Sequence, residues 1–218
     1  MNERELEEFK KELKLSKKQR EILVGILLGD ACLETSNRGH TYRLKIEQSE
    51  THREYVYHLY ELFKEWVLTP PQEKVVVLGD HKSMNLAFST VSHAAFRFYA
   101  HQFYGKQGNK KVPKLIHRWL TPVNLAYWYM DEGLIKSKES KGVILKTHSC
   151  SRSEVNRLAQ AIASVFGLQA KARKQKEKYQ IYISEDSCER FFDLIKPYVL
   201  ESMQDKIPHS RRTQLPKE

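Results

Sequence analysis

Asp30 and Glu132 are the side chains best placed to do chemistry together in this sequence. Each closes an apolar run: Leu23-Val24-Gly25-Ile26-Leu27-Leu28-Gly29-Asp30-Ala31 and Leu125-Ala126-Tyr127-Trp128-Tyr129-Met130-Asp131-Glu132-Gly133. Counted from the opening leucine, both acids fall at the eighth position, and a small residue follows each. If the runs are helices lying side by side, both carboxylates emerge at one end of the pair. That makes a paired acidic site from two parts of one chain. Asp131 competes with Glu132 for the role, and register favours Glu132.

The flanking residues support two helices. Ser16-Lys17-Lys18-Gln19 is a capping box directly before the first run. Thr121-Pro122 places a capping hydroxyl before a proline at the first helical position, where its missing N–H is harmless. Gly25 and Gly29, four apart, share one helix face. Each glycine is about 1 kcal/mol worse than alanine inside a helix, so two on one face imply a close neighbour.

The remaining pattern repeats. Residues 1–14 read as a Glu/Lys-rich exposed helix. After the first run, Tyr42, Leu44 and Ile46 alternate with Arg43, Lys45 and Glu47, a strand with one apolar face. Its hairpin partner is Cys32 to Ser36, with a turn at Asn37-Arg38-Gly39. A helix over about 51–67 follows, with Tyr55, Leu59, Leu62, Phe63 and Trp66 on one face, then a break at Pro70-Pro71. A second hairpin pairs Val75–Leu78 with Met84–Ser89 around Gly79-Asp80. Ser92 caps a helix bearing Phe96, Tyr99, Phe103 and Tyr104, which leads to Lys110-Lys111-Val112-Pro113.

From Gly133 the same order returns. Val143–His148 is a strand, and Ser151 and Glu154 form a capping box for a helix with Val155, Leu158, Ile162 and Val165. Ala170–Lys174 and Tyr179–Ile183 form a hairpin. Asp186 caps a last helix with Phe191, Phe192, Ile195 and Tyr198, which runs to Lys206-Ile207-Pro208. Each part is therefore helix, hairpin, helix, hairpin, helix and a Lys-apolar-Pro exit, which indicates two copies of one α+β unit. The divisions fall at 1–15, 16–118, 119–208 and a disordered tail from 209 to 218.

Composition narrows the partner. The 218 residues include 37 Lys plus Arg against 27 Asp plus Glu, a net charge of +10. A chain of this size buries roughly 70% of its unfolded surface. The charge favours a polyanion, and no apolar run reaches the roughly 18 residues of a membrane span. The charged start lacks a signal-peptide core. Three scattered cysteines, Cys32, Cys150 and Cys188, suit a soluble protein in a reducing compartment, a bacterial cytoplasm or an organelle interior, with the nucleus left open.

The polar strand faces fit the same partner. They carry Arg43, Lys45, Glu47 and Asn85 in the first part, with Arg38 and Gln48 beside them. The second part offers Lys146, His148, Lys171, Arg173, Gln180 and Tyr182. A β-ribbon enters the major groove, where such side chains read base edges. A ten-residue strand reaches about 33 Å, close to ten base pairs, so two sheets cover about twenty.

The ordered set Ile26-Leu27-Leu28-Gly29-Asp30-Ala31, Leu120-Thr121-Pro122, Leu125-Ala126-Tyr127-Trp128-Tyr129-Met130-Asp131 and Ile195-Lys196-Pro197-Tyr198 resembles the single-chain, two-motif LAGLIDADG homing endonucleases. The resemblance implies an α+β fold of two pseudo-twofold-related αββαββα units. The motif helices meet at the interface, and the antiparallel sheets form a DNA-binding saddle. It implies a monomer that binds double-stranded DNA and makes a double-strand break with short 3′ overhangs. Asp30 and Glu132 match the metal-binding acids, with Mg²⁺ as the cofactor and Mn²⁺ able to replace it. Lys206, and Lys110 or Lys111 in the first half, match the active-site lysines; spacing to Pro113 leaves those two open. Two departures stand out: Glu in place of Asp at the second acid, which implies retained cleavage with room for unequal rates on the two strands, and Tyr127 at a position usually small. The same resemblance admits an intron RNA maturase or a non-cleaving DNA-binding regulator.

Overall fold

The computed structural model describes residues 2–79, 81–136, 142–147 and 150–208. Asp80, His148 and the tail from 209 onward lie outside the described residues. The chain begins with α1 (Glu3–Glu12), whose residues are all at least partly exposed. The first unit follows as α2 (Lys17–Leu28), β1 (Cys32–Glu34), β2 (Arg43–Ser49), α3 (Arg53–Phe63), β3 (Gln72–Leu78), β4 (His81–Ser89) and α4 (Arg97–Phe103). The second is α5 (Pro122–Glu132), β5 (Gly133–Ile135), β6 (Val143–Lys146), α6 (Arg152–Phe166), β7 (Ala170–Gln175), β8 (Lys178–Ile183) and α7 (Cys188–Ile195). Each unit makes one four-stranded antiparallel sheet, in the orders β1-β2-β4-β3 and β5-β6-β8-β7. The repeated strand order is the internal symmetry read from the sequence.

Capping places the two motif helices. Ser16 Oγ accepts from the Gln19 amide at 3.1 Å, and Gln19 Oε1 accepts from the Ser16 amide at 2.9 Å. In α5, Thr121 and Asn124 make the same reciprocal pair behind Pro122. Glu154 closes a further box with Ser151 at the start of α6, as Glu5 does with Asn2 at α1. Both motif helices are apolar nearly all round because both are buried: Leu23, Leu27, Leu125, Ala126, Trp128 and Tyr129 are fully enclosed. Among the described residues no helix is long and apolar enough to cross a membrane.

Several local expectations shift. Ser92 is not the cap of the fourth helix. His93 Nδ1 accepts from the Ala95 amide at 3.0 Å and starts a 3₁₀ turn over 94–96 that feeds α4. The helix expected over 51–67 has 3₁₀ turns at both ends of α3. Asp186 lies inside a 3₁₀ turn whose N-cap is Ser184, ahead of α7. Val165, Tyr198 and Met84 are exposed. The strand expected over 143–148 ends at Lys146 and gains the short partner β5. The first hairpin's opening strand stops at Glu34, and Arg38 takes a left-handed φ of 57° in the loop beyond it.

Candidate active site

Helices α2 and α5 run together, and the glycines of α2 set how closely. A methyl on Gly25 would come within 2.5 Å of the Asn124 carbonyl oxygen on α5, and one on Gly29 would overlap the Asp131 carboxylate. Both glycines face the partner helix, as their spacing requires. Tyr127, the large residue in the second motif, bridges to the first unit: its hydroxyl lies 2.7 Å from His58 Nε2, and the rings stack.

The acids gather where the two helices end. Asp30 is exposed, and Asp131 and Glu132 are half-buried. The Asp30 amide donates to Asp131 Oδ2 at 3.2 Å. Gln48 Nε2 donates to Asp30 Oδ2 at 2.8 Å and lies 3.5 Å from Asp131 Oδ1. The buried Tyr55 hydroxyl faces Asp131 without closing a hydrogen bond, and among the described residues it has no partner. Burial first, then the charge of Asp30, pushes the Asp131 carboxyl up to about 8. The same two causes raise Glu132 to about 6, against the pull of Lys146, Lys110 and Lys206. The charge of Asp30 thus bears on both Asp131 and Glu132.

Two lysines close the site from below, one per unit. Lys110 Nζ donates to the carbonyl oxygens of Gly29 at 2.6 Å and Ala31 at 3.0 Å. Lys206 Nζ donates to the Met130 carbonyl oxygen, and its own carbonyl accepts from the Tyr129 hydroxyl at 2.6 Å. Each ammonium meets the negative end of a motif helix. Burial lowers the pKa of both, opposed in each by the nearby acids. Lys111 lines the same cleft, beside Glu132, Lys146 and Cys150. The carbonyl contacts go to Lys110.

The donor set suits a hard divalent cation. It supplies carboxylate oxygens whose repulsion a cation would relieve, and it has no preformed cage: no three His, Cys, Asp or Glu side chains are grouped for one among the described residues. Magnesium sites typically use one or two carboxylates and complete their shell with water and phosphate oxygens.

The polar faces of the two sheets differ in charge. In the first, Glu34 holds Arg43 at 2.8 Å and Lys45 at 3.4 Å. Glu47 holds Lys45 at 3.4 Å and Lys74 at 3.2 Å and accepts from the Asn85 amide at 3.1 Å. In the second, Lys136, Lys171 and Arg173 surround the Tyr182 ring at 5.7, 5.9 and 5.6 Å. Lys146, Lys171 and Arg173 form no ion pair among the described residues. Gln180 is buried rather than presented to solvent. Gln48, expected among the DNA-reading residues, is engaged with the acids. Its role and that of Tyr55 had no signal in the sequence, because both depend on contacts across the fold.

Fold and site together define a two-unit α+β protein, with an acid from each unit at the shared end of a helix pair. The chain belongs to the LAGLIDADG DNA endonuclease family, whose profile matches residues 20–191. It is 30% identical to the probable intron-encoded endonuclease 1 of Wickerhamomyces canadensis, over 94% of this chain and 91% of that one. It is 34% identical to the chloroplastic pentatricopeptide repeat-containing protein OTP51 of rice over 87% of this chain, but spans only 23% of that protein. Among solved structures it is similar to the homing endonuclease I-WcaI bound to its DNA recognition sequence. There the TM-score is 0.89 at 27% identity, with 96% of this chain and 94% of that one covered.

Proposed function

We propose that this protein is a site-specific homing endonuclease that cuts both strands of a long duplex target, leaving short 3′ overhangs. The observation that carries the reading is the convergence of Asp30 and Glu132 at the end of the α2–α5 pair, each beside a lysine-capped helix terminus. In this reading the two sheets seat the duplex. Arg43, Lys45, Lys171 and Arg173 face its phosphates and base edges, with Asn85 and Tyr182 between them.

Asp30 and Glu132 are the proposed ligands for Mg²⁺, or Mn²⁺ in its place. Bound there, the cation supplies an activated water and offsets charge on the scissile phosphate. The protein's own part is to hold the acids and the lysines. Gln48 fixes the Asp30 carboxylate through Oδ2. Lys110 and Lys206, anchored on backbone carbonyls, place an ammonium beside each acid, where it steadies negative charge gathering on phosphate oxygens. Their lowered pKa values make either proton easier to release to a leaving oxygen than that of a surface lysine.

Asp30→Asn and Glu132→Gln are expected to reduce cleavage by about 10³-fold or more while duplex binding survives. The check is a cleavage assay on a randomised duplex library with Mg²⁺, sequencing the ends produced, followed by binding of the selected target. Full cutting by Asp30→Asn would overturn the reading.

A further inference from the structure

We infer that Asp131 is a positioning residue that holds Asp30 from across the helix seam, so the two halves of the site are built unequally. The inference rests on the endonuclease reading for its catalytic consequence and on geometry alone for the contact. At the register position where α2 has Gly29, α5 has Asp131. The side chain that Gly29 lacks is the space the Asp131 carboxylate fills.

From that seat Asp131 bonds the Asp30 backbone directly and reaches its carboxylate through Gln48. Its Oδ2 accepts from the Asp30 amide at 3.2 Å, fixing the backbone where the chain leaves α2. Its Oδ1 lies 3.5 Å from the Gln48 amide, which in turn orients the Asp30 carboxylate at 2.8 Å. The Tyr55 hydroxyl, on a ring 1% exposed, lies beside the same carboxyl. Nothing reciprocal exists: among the described residues the Glu132 carboxylate has no hydrogen-bonded partner, and Gly29 has no side chain to offer it. The first acid is hydrogen-bonded across the seam, whereas among the described residues the second has only its own helix and the charges of Lys146, Lys110 and Lys206.

A misplacement near 1 Å can slow a positioned reaction about a hundredfold, so releasing the clamp should show as unequal strand cutting. The experiment is a duplex target with a different label on each strand, cut by wild type, Asp131→Ala, Asp131→Asn and Gln48→Ala. Asp131→Ala is expected to slow one strand about tenfold or more relative to the other, and Gln48→Ala to slow the same strand. Asp131→Asn keeps an oxygen for the Asp30 amide and is expected to retain the wild-type strand ratio. Asp131→Ser, too short to reach, replaces the alanine variant if that one does not fold.

Amide exchange at Asp30 in the metal-free protein, read by NMR, tests the contact without catalysis. Protection is expected to fall in Asp131→Ala and to persist in Asp131→Asn. An unchanged strand ratio, or unchanged Asp30 exchange, in Asp131→Ala would overturn the inference. If wild type cuts no duplex at all, the endonuclease reading fails and the exchange arm still decides the contact.

Discussion

Asp131 and Glu132 stand side by side at the end of α5, and the fold holds both carboxyls above their ordinary range, at about 8 and about 6. Folding therefore asks these groups to keep protons that the unfolded chain would release. The stability each contributes is full below its unfolded pKa and is lost as pH rises through the folded value. For Asp131 that window runs from about 4 to about 8. The metal-free protein is expected to melt at a falling temperature across this window. Asp131→Asn keeps the acceptor oxygen but has no proton to lose, so its profile should be flatter. At pH 8 it is expected to melt at least about 4 °C above wild type, equivalent to about 2 kcal/mol in a chain of this size. Parallel profiles from calorimetry at several pH values would show that the buried acid imposes no such burden.

The motif helices are the elements on which the site depends, and their closeness is set by α2. Gly25→Ala gains about 1 kcal/mol of helix propensity. The added methyl meets the Asn124 backbone at 2.5 Å, which no rotamer change can relieve. Overpacking of this kind typically loses about 1–3 kcal/mol. The clash should dominate and lower the melting temperature by several degrees, whereas alanine at an exposed helix position should not. These helices were legible in the sequence because capping boxes, apolar length and glycine spacing are all local signals. The three-residue β5 was not, because a strand that short exists only through pairing with Val143–Leu145. The choice between Lys110 and Lys111 was equally closed. A bridge pairs Lys110 with Tyr104 while the Lys111 amide bonds to Phe103, and the Lys110 ammonium lies on the carbonyls at the end of α2, which favours Lys110 for the proposed role. Gln48 escaped for the same reason, since alternation along β2 cannot show that an end residue reaches an acid eighteen positions earlier.

Across the whole molecule the two polar faces carry unlike charge, although the sheets share one strand order. On the first face Glu34 and Glu47 pair with Arg43, Lys45 and Lys74, leaving one positive charge in excess. The Glu47 carboxyl is held below its usual range, led by the Asn85 amide and helped by Lys74 and Lys45 against the opposing effect of burial. On the second face Lys171 and Arg173 lie over the Tyr182 ring and form no ion pair among the described residues. A duplex lying over both would lose its counterions to solution mainly where the second unit's cations meet its phosphates. Each phosphate contact contributes about 0.9 to the slope of log affinity against log salt. With about 6–10 contacts, affinity should fall by about 10³–10⁵ between 50 and 200 mM salt. Lys171→Ala and Arg173→Ala are each expected to flatten that slope by about 0.9. Glu47→Gln should do the reverse, because it frees Lys45 and Lys74 for phosphate and so steepens the dependence. Fluorescence anisotropy on the selected target across this salt range reads all three. A Glu47→Gln slope equal to or shallower than wild type would mean that the first sheet's cations meet no phosphate, and that its acids serve the fold rather than restrain binding.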